Sequence, residues 1–312
     1  MKILVTGAFG YVGSLLVPKL LHEGFEVDAL DADWFGYQPS YHYNIRVVRD
    51  DIRTMRELPR KNYGAVIHLA AVANDPCCEL DGRLAWEVNA LGTARVLEMA
   101  KNAGVSQFIY ASSGSVYGVC DWPNVTEEAP LDPISDYNKT KLCAERIALS
   151  YSGDMRIQII RPATVCGYAP RQRLDVVVNM LTMQALTRGE ITVLGGDQVR
   201  PNIHIEDMTD LYVFMLRNPR LTGIWNAGFE NLPVREIALM VAAETGARIV
   251  TQESNDPRSY RMDSSKLIDA GFRPKLGVSH AIADIVAAVA NGKLRDEDRH
   301  YNLRVMKAKG IK

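Results

Sequence analysis

A tyrosine and a lysine four residues apart, in Tyr137-Asn138-Lys139-Thr140-Lys141, stand out in this chain of 312 residues. In a helix, that spacing puts both side chains on one face. A free phenol, with a pKa near ~10, is a poor base at neutral pH. A neighbouring ammonium stabilises the phenolate and moves it toward the range useful for proton transfer. Alone, the spacing serves equally well for a solvated helix face. Upstream, however, Tyr110-Ala111-Ser112-Ser113-Gly114 closes a β-rich run. A hydroxyl at the carboxyl end of a strand in an open parallel sheet faces the crevice where ligands bind. Ser113 is therefore expected to share a substrate hydroxyl with Tyr137.

A second constellation opens the chain. Gly7-Ala8-Phe9-Gly10-Tyr11-Val12-Gly13 follows the first apolar run directly. Glycines at that junction let the chain turn sharply, bring backbone amides against a pyrophosphate and pack a helix closely on its strand. The helix amino terminus adds a favourable partial charge for the phosphates. Val27-Asp28-Ala29-Leu30-Asp31 then places Asp31 at the carboxyl end of the second strand. A carboxylate there accepts hydrogen bonds from ribose hydroxyls and repels a 2′-phosphate. NAD is expected rather than NADP, with Asp33 as a nearby substitute.

These groups need a scaffold, and the first half of the chain alternates β-rich and helical runs. Strands are expected at 2–6, 25–30, 45–48, 65–69, 107–112 and 156–161, with helices at 11–23, 84–102 and 136–150. Such alternation means βαβ units with right-handed crossovers and a mostly parallel sheet. The nearly continuous apolar run Ala65-Val66-Ile67-His68-Leu69-Ala70-Ala71 suits a strand covered on both faces. After Arg161 the rhythm breaks at the turn-rich Gly167-Tyr168-Ala169-Pro170-Arg171, and helical patterns follow at 176–187, 233–245 and 280–291. The expected fold is α/β: a Rossmann doubly wound parallel sheet in residues 1–165 and a smaller C-terminal α/β substrate lobe in 166–312. A segment near 200–226, including Ile224-Trp225-Asn226, is expected to return to the large sheet. The tail from about residue 293 is highly charged.

Composition narrows the function classes. A formal net charge of −1 gives no basic field for nucleic acid, and 47% hydrophobic residues suffice for a large core. Five cysteines (Cys77, Cys78, Cys120, Cys143, Cys166) show no paired spacing, and six histidines show no metal spacing, so no metal is expected. No apolar run reaches the length of a membrane span, and the opening run is too short for a signal-peptide core. The expected location is the cytoplasm.

Taken in order, these motifs resemble the extended short-chain dehydrogenase/reductases, nearest in pattern to UDP-galactose 4-epimerase-like nucleotide-sugar enzymes of the NAD-dependent epimerase/dehydratase family. Thr6-Gly7 to Gly13 is similar to the family's TGxxGxxG turn, which implies cofactor contacts from Gly7, Phe9, Gly10, Tyr11 and Val12. Asp51-Ile52 is similar to an adenine-contacting pair, and His68-Leu69-Ala70-Ala71 to the strand beneath the cofactor. Asn89-x-x-Gly92-Thr93 resembles a helix segment whose asparagine orders the active site, and Arg161-Pro162 begins the stretch near the nicotinamide. The resemblance implies a triad of Ser113, Tyr137 and Lys141, with Lys141 also on the nicotinamide ribose. It implies an epimerase that passes through a transient keto-sugar. A nucleotide-sugar C4 dehydrogenase or ketosugar reductase of deoxysugar or capsule biosynthesis is the alternative, and a non-catalytic NAD-binding protein stands further off. Related 4,6-dehydratases carry Asp-Glu after the hydroxyl residue, where this chain has Gly114 and Ser115. The resemblance implies substrate contacts from Ser113, from Thr164, where many relatives have asparagine, and from Arg200 and Arg258, whose planar forks suit a nucleotide diphosphate. A homodimer formed through helices 84–102 and 136–150 is also implied.

Overall fold

The computed structural model describes residues 1–120, 122–253 and 259–310. Among the described residues twelve strands run in chain order: β1 (Lys2–Thr6), β2 (Glu26–Asp31), β3 (Ile45–Arg49), β4 (Ala65–His68), β5 (Gln107–Ala111), β6 (Arg156–Pro162), β7 (Thr164–Cys166), β8 (Glu190–Leu194), β9 (Val199–His204), β10 (Gly223–Ala227), β11 (Glu230–Pro233) and β12 (Arg248–Gln252). The α-helices are α1 (Tyr11–His22), α2 (Asp75–Leu80), α3 (Gly82–Trp86), α4 (Thr93–Asn102), α5 (Asp136–Ser150), α6 (Val177–Arg188), α7 (Ile205–Arg217), α8 (Val234–Thr245), α9 (Ser265–Asp269), α10 (Val278–Ala290) and α11 (Asn302–Ala308).

Seven strands form one sheet in the order β10-β6-β5-β4-β1-β2-β3, every pair parallel. The expected Rossmann sheet is present. The order reverses between β1 and β4, the point where an open parallel sheet leaves a crevice at its carboxyl edge. Side chains alternate across the sheet. Ile3, Val5 and Ile109 enter a core with Leu16 and Leu20 of α1 and Met208 and Leu211 of α7. Leu4, Val66 and Phe108 enter a second core with Val96 and Leu97 of α4 and Ala144 of α5. All four residues of β4 are buried, as its continuous apolar run requires.

Within the 200–226 region, β9 pairs with β7 and β11 in a small sheet, and the return to the large unit begins only at α7. β10 then lies along β6, pairing Ile224 with Ile159 and Trp225 with Ile160. The second lobe has its own core, where Val178, Leu181, Ile237, Val241 and Ile282 of α6, α8 and α10 cover Ile191 and Val193 of β8. The helix expected over 84–102 contains a π-helical turn at Glu87–Gly92, between α3 and α4. Such wide turns cluster at functional sites.

Candidate active site

The glycine turn between β1 and α1 is built for close approach. Gly7 has φ +70°, and a Cβ there would fall 2.5 Å from the backbone nitrogen of Ala70. A Cβ on Gly13 would lie 2.5 Å from the Gly7 carbonyl oxygen. The turn and the end of β4 are therefore pressed together. The cleft above them is lined by Gly7, Gly10, Tyr11, Val12, Asp31, Asp51, Ile52, Leu69, Ala70 and Ala71.

Asp31 is held rigidly: its carboxylate accepts from the Phe9 amide at 3.0 Å and the Asp33 amide at 2.8 Å. Burial pushes its pKa up, and the two amides oppose that. Asp33 does not line the cleft, and its carboxylate pairs with Arg49 at 2.9 Å. Phe9, expected to contact the cofactor, does not line the cleft. Its ring is buried and its amide serves Asp31. Tyr11 does line the cleft, and its hydroxyl donates to the Gly167 carbonyl at 2.6 Å, tying α1 to the second lobe. Asp51 is clamped by Arg53 at 2.7 Å, and Ile52 fills the space left by Gly92, where a Cβ would lie 2.8 Å from its Cδ1.

Asn89 stands behind the cleft. It sits in the π-helical turn, buried and away from the cleft lining. Its carbonyl oxygen accepts from the Val72 amide at 2.8 Å, and its amide donates to the Val72 carbonyl at 3.1 Å and to Thr140 Oγ1 at 3.0 Å. It joins the loop after β4 to α5 and so fixes the helix that carries Tyr137. His68 bridges Thr6 and Thr93, and burial pushes its pKa down to about 3, so it is a neutral structural link.

Ser113, Tyr137, Lys141 and Thr164 converge on the same cleft. Ser135 caps α5 by accepting from the Asn138 amide at 3.2 Å, which sets where Tyr137 enters the helix. Behind them, Arg161 and Glu145, each side chain 1% exposed, form a two-pronged pair at 2.9 and 2.7 Å. This pair clamps α5 to β6, and Pro162 rather than the Arg161 side chain lines the cleft.

The charges around the phenol differ from the sequence expectation. Lys141 donates its ammonium to the Ala111 carbonyl at 2.8 Å, lies 5.1 Å over the Tyr110 ring, and burial lowers its pKa to about 8. Burial raises the Tyr137 phenol to about 12, opposed by the nearby Ser113 hydroxyl and the positive charge of Arg173. Arg173, itself paired with Asp175, thus helps lower the phenol's pKa, while the Lys141 ammonium is turned toward a backbone carbonyl.

Arg171, Arg173, Trp34, Phe35, Tyr260, Asn302 and Met306 also line the cleft and were not anticipated. The available signal was Arg171-Gln172-Arg173-Leu174-Asp175, whose alternate residues share one side of an extended stretch. Arg200, on β9 opposite Leu232, does not line the cleft. Arg258 lies outside the described residues. Among the described residues no cluster of side chains suits a metal, and no helix is long and apolar enough to cross a membrane.

A parallel sheet with a glycine turn at its crevice, a carboxylate closing the second strand and a phenol nearby defines a dinucleotide-dependent enzyme on a Rossmann unit. Residues 3–228 match the family model described as the NAD dependent epimerase/dehydratase family, and the chain belongs to that family. It is 28% identical to a UDP-glucose 4-epimerase of Lactobacillus helveticus, across 93% of this chain and 96% of the relative. It is 27% identical to a dTDP-glucose 4,6-dehydratase of an Actinoplanes species, across 92% and 97%. The structure of MoeE5 in complex with UDP-glucose and NAD superposes with a TM-score of 0.82 at 29% identity, covering 94% of this chain and 99% of that one.

Proposed function

We propose that the protein is an NAD-dependent nucleotide-sugar epimerase that works through a transient keto-sugar. The observation that carries this reading is one cleft holding both the glycine turn with Asp31 and the Ser113, Tyr137 and Lys141 side chains. When bound, NAD supplies the acceptor that takes a hydride from the sugar and gives it back. The Tyr137 phenolate removes the proton of the reacting sugar hydroxyl, and Ser113 holds the same oxygen as it becomes a carbonyl. Tyr137 stays aimed at that oxygen because Asn89 and the Arg161–Glu145 pair fix α5. Thr164, at the edge of the cleft, is the proposed sugar contact.

Packing at Gly114 supports epimerisation over dehydration. A Cβ there would fall 2.4 Å from Met262 Cε and 2.9 Å from the Tyr260 hydroxyl, so an acidic side chain would have to displace the ends of both side chains. We also read the protein as a homodimer. Trp86 of α3 and Leu91 of the π-helical turn stand 38% and 62% exposed on the segment between β4 and β5, available to a partner.

The test is to incubate the protein with a panel of nucleotide sugars, following reduced-nicotinamide absorbance while resolving the sugar products. Epimer formation at catalytic turnover with flat absorbance is the expected result. Stoichiometric build-up of NADH with a stable keto-sugar would make the enzyme a dehydrogenase, and NADH consumption with a keto-sugar a reductase. A 4-keto-6-deoxy product would overturn the Gly114 argument.

A further inference from the structure

The family match ends at residue 228, yet two residues beyond 300 stand in the cofactor cleft. After a short 3₁₀ turn at Asp298–His300, the chain enters α11 at Asn302. The Leu174 amide donates to the His300 carbonyl at 2.8 Å, and the Asn302 amide donates to Asp175 Oδ2 at 3.1 Å. The side-chain oxygen of Asn302 accepts from Arg171 at 2.6 Å. Met306, 2% exposed, joins the apolar cluster that contains Val72 and Cys77, with Trp34 packed against it. These residues lay the segment across the cleft, between the loop after β2 and helix α2.

Arg171 is the hinge of this arrangement. Its guanidinium lies 3.7 Å over the Phe35 ring, and its backbone amide donates to Ser14 Oγ at 3.1 Å in the first turn of α1. The residue is 5% exposed and lines the cleft, yet its Nε has no hydrogen-bond partner among the described residues. A buried guanidinium donor left unmatched is costly unless a ligand meets it. The chemistry that fits is a diphosphate, because the position adjoins the amino end of α1, where backbone amides already favour anions.

We propose that residues 298–308 are a built part of the cofactor site: Asn302 holds Arg171 toward the diphosphate, and Met306 closes the cleft over the dinucleotide. This strap slows the release of bound cofactor, which suits an enzyme that regenerates its cofactor in every turnover. The inference rests on the reading of the cleft as a dinucleotide site.

The probe is NADH, bound to the full chain and chased with excess NAD while nicotinamide fluorescence reports its release. Asn302→Ala and Arg171→Gln are expected to speed release by about tenfold to a hundredfold, the worth of one hydrogen bond to a charged group. Arg171→Lys should recover part of the loss. Met306→Ala, which leaves the polar ties intact, should speed release as well. Affinity for ADP-ribose should fall in Arg171→Gln, whereas affinity for adenosine, which lacks the diphosphate, should hold. Release within twofold of the parent in all of these variants, with the parent binding NADH normally, would overturn the strap alone. A parent protein that binds no NADH would overturn the dinucleotide reading and the strap with it.

Discussion

At the scale of single residues, the phenol of Tyr137 sets the chemistry, and its surroundings set the pH at which it works. Burial pushes it up to about 12, and the positive charge of Arg173 works against that. Tyr137→Phe removes the proton acceptor and should lower turnover by roughly 10²–10⁴, with NADH binding retained. Arg173→Gln removes the positive charge, so the phenol becomes harder to ionise. The rising limb of kcat against pH should then move to higher pH, and Arg173→Lys should move it back. A purely structural role for Arg173 would lower activity at every pH without displacing that limb. Some of these residues were legible in the sequence and some were not. Ser113 and Asp31 could be placed because each closes a strand, and Tyr137 with Lys141 because helix periodicity alone aligns them. The strand-end rule could not separate Phe9 from its neighbours, since the ring turns into the core and only the amide faces Asp31. Arg173 and Arg171 were missed because nothing local brings them to the cleft. Arg171 meets Asn302 across 131 positions of chain.

Among the elements, α5 carries the most because several separate ties fix it, among them the Ser135 cap, the Asn89 bridge to Thr140, the Lys141 bond to the Ala111 carbonyl and, last, the buried Arg161–Glu145 pair. The last is fully desolvated, so cutting one partner strands a charge. Glu145→Ala should destabilise the protein by about 3–5 kcal/mol in urea unfolding. The double variant Glu145→Leu with Arg161→Met should be less destabilised than the single change, because no buried charge remains. A double variant as unstable as Glu145→Ala would show that packing, not the stranded charge, is at stake. The strands and helices of the large unit were readable from period alone, since each is either a short apolar run or an amphipathic segment. The π-helical turn was not readable. Its residues keep helical periodicity closely enough to pass as one helix.

For the whole molecule, the exposed Trp86 and Leu91 set the expectation of a twofold partner against the helical face of the large unit. Light scattering at micromolar concentration should report twice the chain mass of 34.7 kDa. Leu91→Glu should shift the population toward monomer, and a monomeric parent would end the homodimer reading. The parallel sheet itself could be foreseen from the alternation of elements. A return to it at Ile224-Trp225-Asn226 could be foreseen as well, and β10 makes it; that β9 stays in the small sheet could not, because β9 and β10 look alike as short runs and differ only in what they pair with. The late return of β10 has a consequence for biosynthesis. Strand β6 is complete at residue 162, but the neighbour that seals its outer side, β10, arrives only at residues 223–227. During translation an apolar strand therefore waits with open backbone donors and acceptors while some sixty further residues are made. The nascent chain is most prone to misassociate in that interval, and it closes before α8 and α10, which complete the second lobe's core, have been made.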